Sequence, residues 1–150
     1  MVIQIALILA AALLVVFVAI QFVPVQRTNP PVVTRLAWDS AQTENLAQRA
    51  CMDCHSNETK WLWYSYVAPV SWLVAKDVVE GRRELNLSQL SANTSQLNRV
   101  SQRIQRAIQS GKMPPAQYLP THPGAQLTPE EKQALIAGFA KTLSQPPLSK

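Results

Sequence analysis

The chain begins with one unbroken run of apolar residues. Val2 to Val23 contains no charged side chain, and its two polar residues, Gln4 and Gln21, lie near its ends. A helix of this length is about 33 Å long, which matches a hydrocarbon core about 30 Å thick. The pattern therefore predicts a transmembrane anchor over residues 1–23.

A cleaved signal peptide is the alternative interpretation of this run. The run is longer than the usual hydrophobic region of a signal peptide, and the bulky sequence from Ile20 to Val25 offers no small-x-small cleavage site. We therefore predict that the anchor is retained. Arg27 and Arg35 follow the span, so the positive-inside rule weakly favours a cytoplasmic location for the rest of the chain.

A proline-containing segment follows, and the remaining chain has helical periodicity. Residues 24–38 include Pro30-Pro31, so we predict a semi-rigid spacer that holds a domain over residues 39–150 a short distance off the membrane. Four helices are predicted from N-cap and first-turn residues. Their predicted starts are Asp39 or Ser40, Pro69, Ser95 and Thr128.

The sequence also predicts where these helices end and which of their faces are apolar. The second helix should weaken at Gly81, and the third should end at Gly111. Residues 112–124 hold four prolines and cannot be helical. The stripes of the third and last helices are Leu97, Val100, Ile104, Ala107 and Ile108, then Leu135, Ile136, Phe139, Ala140 and Leu143. No strand is predicted, so the fold class is all-α.

The candidate chemistry lies at the end of the first domain helix. Ala47, Ala50, Cys51 and Cys54 fall on one helical face, and the sequence Cys51-Met52-Asp53-Cys54-His55 is a CxxCH motif. Two thiols at this spacing can form thioethers to the two vinyl groups of a haem, and the adjacent histidine is carried under the iron as its proximal ligand. The motif predicts one covalent haem c per chain.

Three other interpretations of the motif remain open. A zinc site would use Cys51, Cys54, His55 and His122, although adjacent Cys and His side chains seldom reach one tetrahedral metal. A thioredoxin-type redox pair normally lies in a βαβ unit, which this helical pattern lacks. A plain disulfide between the only two cysteines leaves His55 unexplained.

The sixth ligand of the iron decides between electron transfer and catalysis. Met113, between Lys112 and Pro114 on a rigid loop, is the preferred candidate, and His122 is the runner-up. Met/His ligation closes the iron to small molecules and is typical of an electron carrier that performs no enzymatic reaction. An open or labile sixth position would instead indicate a haem-based peroxidase or a gas or redox sensor.

Aromatic and basic side chains supply candidates for the rest of a haem pocket. Those that could wall the haem edge are Trp61, Trp63, Tyr64 and Trp72. Arg82 and Arg83 could pair with the haem propionates. An aromatic core and a solvated helix end explain the same residues equally well.

The net charge of +5 gives little information about the binding partners of the chain. The lysines and arginines are scattered, which argues against nucleic acid as a partner. Docking onto an acidic redox protein or an anionic membrane surface is one interpretation of the charge. The other is that two haem propionates offset part of it.

The chain resembles the bacterial haem-binding domain family over nearly its whole length after the anchor. The resemblance rests on the motifs Cys51–Thr59, Trp61–Ser65, Ala68–Leu73, Glu80–Arg82, Asn86–Ser88, Gly111–Pro115, Tyr118, His122-Pro123, Leu127-Thr128 and Asn29–Pro31. Leu62 stands where the family usually has proline. The resemblance implies a cytochrome-c-like helical fold, haem attachment at Cys51 and Cys54, His55 as an iron ligand and Met113 as its partner.

Together these patterns predict a single-span membrane protein with a mono-haem domain that passes electrons between redox partner proteins. Because haem c is assembled outside the cytoplasm, we expect the domain on the exported, periplasmic side despite the weak charge pattern around the span.

Overall fold

The computed structural model describes residues 1–91 and 93–149 and is mostly helical, as the sequence predicts. Its helices are α1 (Val2–Ile20), α2 (Ala41–Ala50), α3 (Met52–His55), α4 (Val70–Glu84), α5 (Thr94–Gln109) and α6 (Pro129–Thr142). Two short 3₁₀ turns cover Trp63–Tyr66 and Pro123–Ala125, and two short strands are β1 (Thr34–Arg35) and β2 (Leu148–Ser149).

Helix α1 is long and apolar enough to cross a membrane, and none of its residues is buried in the domain. Its side chains from Val2 to Val18 expose large apolar surfaces to the surroundings. An apolar surface of this size is unfavourable in water. The apolar helix predicted from the sequence is therefore present.

Local capping explains where the domain helices begin. The Ser40 hydroxyl accepts a hydrogen bond from the backbone N–H of Thr43 at the start of α2. Thr128 and Glu131 form a reciprocal capping box at α6. Helix α5 has the same box, but its cap is Asn93 rather than the predicted Ser95, because the Gln96 side chain reaches back to the Asn93 N–H.

The hydrophobic core lies where α2, α5 and α6 pack together. Its fully buried side chains include Leu46, Ala47, Leu97, Ile108, Leu135, Phe139 and Leu143. Trp38 packs edge-on against Phe139, with ring centroids 5.6 Å apart. The predicted stripes supply most of this core, although Ala140 is exposed rather than part of the α6 face.

The expectation that no strand forms is wrong for one short pair. Strands β1 and β2 are antiparallel, with Thr34 opposite Ser149. The spacer also lies against the domain rather than extending freely. The backbone N–H groups of Val33 and Thr34 both donate to the carbonyl of Ser88, and the Asn29 amide donates to the carbonyl of Thr59.

Candidate cofactor site

Helices α3 and α4 form one wall of a cleft at the CxxCH motif. The predicted continuous helix through the motif is interrupted at Cys51, whose φ of −134° ends α2 before α3 begins. Helix α4 continues through Gly81 to Glu84, further than predicted. A Cβ at Gly81 would lie 2.6 Å from the Cys54 carbonyl oxygen, so only glycine permits this approach of α4 to the motif.

The backbone holds His55 in a defined orientation. Its carbonyl accepts a hydrogen bond from the Leu87 N–H at 2.8 Å, and its ring Nδ1 lies 3.0 Å from the Leu85 carbonyl oxygen. A carbonyl oxygen can only accept, so Nδ1 carries the proton and Nε2 keeps a free lone pair. Metal-binding histidines commonly have this arrangement, in which a second group fixes the tautomer.

The two thiols lie beside His55 and are both free. Burial, and secondarily Cys54, raises the pKa of Cys51 to about 12. Burial also raises the pKa of Cys54 to about 11, with Asp77 and Asp53 adding to the effect. A thioredoxin-type redox pair normally lies in a βαβ unit, whereas this motif lies between the helices α2 and α4.

The zinc interpretation also lacks support from the geometry. Among residues 1–91 and 93–149, no group of three His, Cys, Asp or Glu side chains is arranged to hold a metal ion. His122, the fourth ligand that this interpretation requires, does not line the cleft at the motif.

Two adjoining cavities of about 260 and 220 Å³ make up the cleft. They share five lining residues, which are Ala50, Cys51, His55, Glu84 and Met113. The larger cavity also contacts Cys54, Gly81 and Tyr118, and the smaller one is closed by apolar side chains of α5 and α6. Cys51, Cys54, His55 and Met113 are thus brought together in one continuous space.

The loop after α5 brings Met113 into the lining of the cleft. Helix α5 ends at Gln109, and Gly111, two residues later, has a φ of +70° that allows the chain to reverse. The Met113 N–H then donates to the Ala107 carbonyl at 3.1 Å. This hydrogen bond folds the loop back onto the last turn of α5, so Met113 lines both cavities.

His122, the runner-up ligand, lies outside the cleft in a polar cluster. Its Nε2 is 3.1 Å from the Tyr64 hydroxyl, and its Nδ1 is 3.1 Å from the Tyr118 carbonyl oxygen. Its ring stacks on Tyr118 with centroids 3.6 Å apart. Both ring nitrogens are therefore occupied by protein groups, which favours Met113 over His122 as a ligand.

The four predicted pocket aromatics do not line either cavity. Trp61 donates to the Asn29 side chain in the spacer, and Tyr64 pairs with His122. Trp63 is 76% exposed and Trp72 is 37% exposed. These residues follow the motif closely in sequence, but the recorded partners of Trp61 and Tyr64 are in the spacer and at His122.

The Arg82 guanidinium, which the sequence offered as a possible partner for a propionate, donates hydrogen bonds to other parts of the chain. Its Nε donates to the Ser56 carbonyl at 2.7 Å, and its terminal nitrogens donate to Thr28, Asn29 and Thr59. Arg82 therefore ties the spacer to the loop that follows the motif. Arg83 is exposed and is not in the lining of the cleft.

Four features of the site were missed by the sequence interpretation. They are the close approach at Gly81, the Leu85 carbonyl, the Tyr118 hydroxyl that donates to Asp53 at 2.8 Å, and Arg103. Arg103 is the basic side chain in the described lining of the cleft, and it pairs with Glu84 at 3.0 Å. The family resemblance over Gly81 and Tyr118 pointed to these positions without indicating their roles.

The comparisons with known proteins agree with a haem site. Residues 15–141 match the family model described as a haem-binding domain. No curated protein and no solved structure matches the chain. The family match covers most of the chain, and it therefore assigns haem as the cofactor. The chain belongs to the haem-binding domain family.

Proposed function

We propose that the chain is a membrane-anchored c-type cytochrome that holds one haem covalently and transfers single electrons. The observation that carries the proposal is the meeting of two thiols, an oriented histidine and a methionine along one cleft. When bound, haem iron supplies one-electron chemistry by alternating between its ferrous and ferric states.

The residues fit a covalent haem in a specific way. Cys51 and Cys54 would form the two thioethers, because both line the larger cavity beside His55. His55 would ligate the iron through Nε2, since Nδ1 is committed to the Leu85 carbonyl. The apolar side chains of α5 and α6 would cover the porphyrin, and Arg103 would pair with a propionate at the rim.

Met113 is the proposed sixth ligand. It lies on a loop that is separate from the motif and lines the same two cavities as His55. A Met/His pair raises the reduction potential and leaves no open position for a small molecule. This ligation supports electron transfer between redox partner proteins rather than an enzymatic reaction.

The apolar helix α1 supports the proposal of a membrane anchor. It has the length needed to span a bilayer. Because covalent haem is attached outside the cytoplasm, we propose that the domain lies on the periplasmic side. The redox partners would then be proteins at or near that membrane surface.

Carbon monoxide binding tests the electron-carrier proposal. The ferrous wild-type protein should not bind carbon monoxide, because Met113 occupies the sixth position. Met113→Ala should bind it readily, with a shifted absorption spectrum, while His122→Ala should behave like the wild type. Ready binding by the wild type would favour the alternative, a peroxidase or gas sensor, and a spectral change in His122→Ala alone would make His122 the ligand.

A further inference from the structure

The end of the apolar helix is joined directly to the domain. The Gln21 side-chain oxygen accepts a hydrogen bond from the Ala68 N–H at 2.9 Å, and its amide nitrogen donates to the Ala68 carbonyl at 3.3 Å. The same amide nitrogen lies 2.9 Å from the Phe17 carbonyl in α1. The two hydrogen bonds to Ala68 join the end of the anchor to the segment that precedes α4. We call this connection through Gln21 the clamp.

A second contact reinforces the clamp a few residues further along the chain. The Arg27 guanidinium lies 4.5 Å from the centroid of the Tyr66 ring, within the range of a cation–π interaction. It also donates to the Ser65 carbonyl at 3.2 Å. The start of the spacer therefore follows the surface of the domain instead of holding the domain away from the anchor.

The residues next to Gln21 and within five positions of Ala68 in sequence include five exposed apolar or aromatic side chains. We call this set of side chains the docking face, and it comprises Phe22, Trp63, Tyr66, Val70 and Leu73. Their exposed fractions range from 43% for Val70 to 81% for Phe22. Val70 and Leu73 are three residues apart and so lie on one side of the first turns of α4.

The length of α1 determines how deep in the membrane the docking face would lie. Nineteen residues at about 1.5 Å each give a helix about 29 Å long, which is close to the bilayer's hydrocarbon thickness of about 30 Å. Gln21 follows directly and would lie at the boundary between hydrocarbon and headgroups. Because Gln21 binds Ala68, the docking face would lie at the same level.

We propose that the docking face rests in the interfacial layer of the membrane that α1 spans, and that Gln21 fixes the domain in this orientation. Tryptophan and tyrosine favour this layer because their rings are apolar and their polar atoms can remain hydrated. The inference depends on the proposed anchor and adds an orientation to it. The cleft residues of α4 begin at Asp77, about 10 Å along the helix from Val70, so the haem would be held close to the bilayer surface.

Paired cysteine variants test the orientation of the domain. Val70→Cys lies on the docking face, and Val79→Cys is a matched control on α4, nine residues away and 58% exposed. At about 100° per residue the two positions point in opposite directions. The haem-loaded full chain is reconstituted in phosphatidylcholine vesicles, and each variant is treated with a charged maleimide and with a lipid-soluble maleimide.

The ratio of lipid-soluble to charged labelling rates should be several-fold higher at position 70 than at position 79. Equal ratios at the two positions would overturn the proposal. Adding Gln21→Ala to Val70→Cys should lower the ratio towards that of position 79, because the clamp is lost. An unchanged ratio would overturn the assignment of the orientation to Gln21.

A third variant separates failure of docking from failure of the anchor. Leu9→Cys, in the middle of α1, should react only with the lipid-soluble reagent. If it does so while positions 70 and 79 have equal ratios, the anchor stands and the docking proposal fails. If Leu9→Cys reacts readily with the charged reagent, the proposed anchor itself fails. Peptide mapping identifies labelled Cys51 or Cys54, which would reveal chains without thioethers.

Discussion

The two walls of the cleft are held in different ways. The thiol wall, residues 51–57 with the facing part of α4, is fixed by contacts from distant parts of the chain, including the Leu85 and Leu87 backbone, Gly81 and Arg82. The methionine wall, residues 111–118, is held mainly by local backbone hydrogen bonds. Its long-range polar contacts include the Tyr118 hydroxyl on Asp53 and the Gln117 side chain on Asp77.

This difference suggests a division of tasks between the walls. Covalent attachment and proximal ligation need thiols and an imidazole held in one geometry, so the thiol wall is preorganised by many contacts. The sixth ligand needs only a thioether of suitable reach, and a loop stabilised by its own turn suffices. We therefore expect changes in the thiol wall to lower stability more than changes in the methionine wall.

The largest expected effect is that of Gly81→Ala. Alanine normally stabilises a helix interior relative to glycine by up to about 1 kcal/mol. Here the added methyl group would lie 2.6 Å from the Cys54 carbonyl oxygen, and because backbone must move to relieve this contact, we expect a cost above the usual overpacking cost of about 1–3 kcal/mol. Chemical denaturation of the haem-loaded protein should show a net loss of unfolding free energy, together with a lower haem content.

Gly124→Ala is the matched control for this variant. A Cβ at Gly124 would lie 3.9 Å from its nearest neighbour, the Arg49 side chain. It should leave haem content unchanged and alter the unfolding free energy little. Equal unfolding free energies of the two variants would contradict the close contact between Gly81 of α4 and the Cys54 backbone.

Arg82→Ala should have the next largest effect. It removes hydrogen bonds to Ser56, Thr28, Asn29 and Thr59. Hydrogen bonds to charged groups are worth about 1.5–3 kcal/mol each, but several of these are solvent-exposed, so we expect a total loss of about 2 kcal/mol. Denaturant unfolding measures this loss, and limited proteolysis should detect earlier cleavage in residues 24–38.

Arg83→Ala controls for the loss of one positive charge from the same helix. Arg83 is exposed, so its replacement should change stability by no more than about 0.5 kcal/mol. If Arg82→Ala leaves stability intact but lowers haem retention, Arg82 would act on a propionate after all.

The smallest expected effect is that of Tyr118→Phe in the methionine wall. It removes the hydroxyl that donates to the Asp53 carboxylate at 2.8 Å, which should cost about 1.5 kcal/mol. Covalent haem content should not change, since Cys51, Cys54 and the contacts of His55 with Leu85 and Leu87 are kept. If Tyr118→Phe lowered the unfolding free energy as much as Gly81→Ala, the expectation that changes in the methionine wall cost less stability would be wrong.

Tyr66→Phe is the control for Tyr118→Phe. In the described part of the chain the Tyr66 hydroxyl has no hydrogen-bond partner, and the Arg27 contact uses the ring that phenylalanine keeps. Its unfolding free energy should match that of the wild type.

Local features of the fold could be predicted from the sequence. The cap at Ser40, the capping box at Thr128 and the turn at Gly111 depend on residues within a few positions of one another. Each of these features is determined by residues that are adjacent in sequence. The helical class and the apolar N-terminal helix were predicted for the same reason.

Features that depend on distant contacts could not be predicted in this way. The sequence offered a propionate as one possible partner of Arg82, whereas its acceptors in the spacer and at Ser56 are too far away in sequence to be recognised. The pairing of β1 with β2 joins opposite ends of the domain. The motif itself indicated the cofactor, but the contact at Gly81 and the hydrogen bond from the His55 ring to the Leu85 carbonyl appear only when α3, α4 and the following loop are assembled.

Covalent retention of haem tests the central claim most directly. The purified protein is denatured, and its mass and haem-dependent peroxidase staining on a denaturing gel are measured. The wild type should keep one haem per chain through Cys51 and Cys54, and the double variant Cys51→Ala/Cys54→Ala should lose it. Release of haem from the denatured wild type, or a mass equal to that of the polypeptide alone, would contradict c-type attachment at this motif.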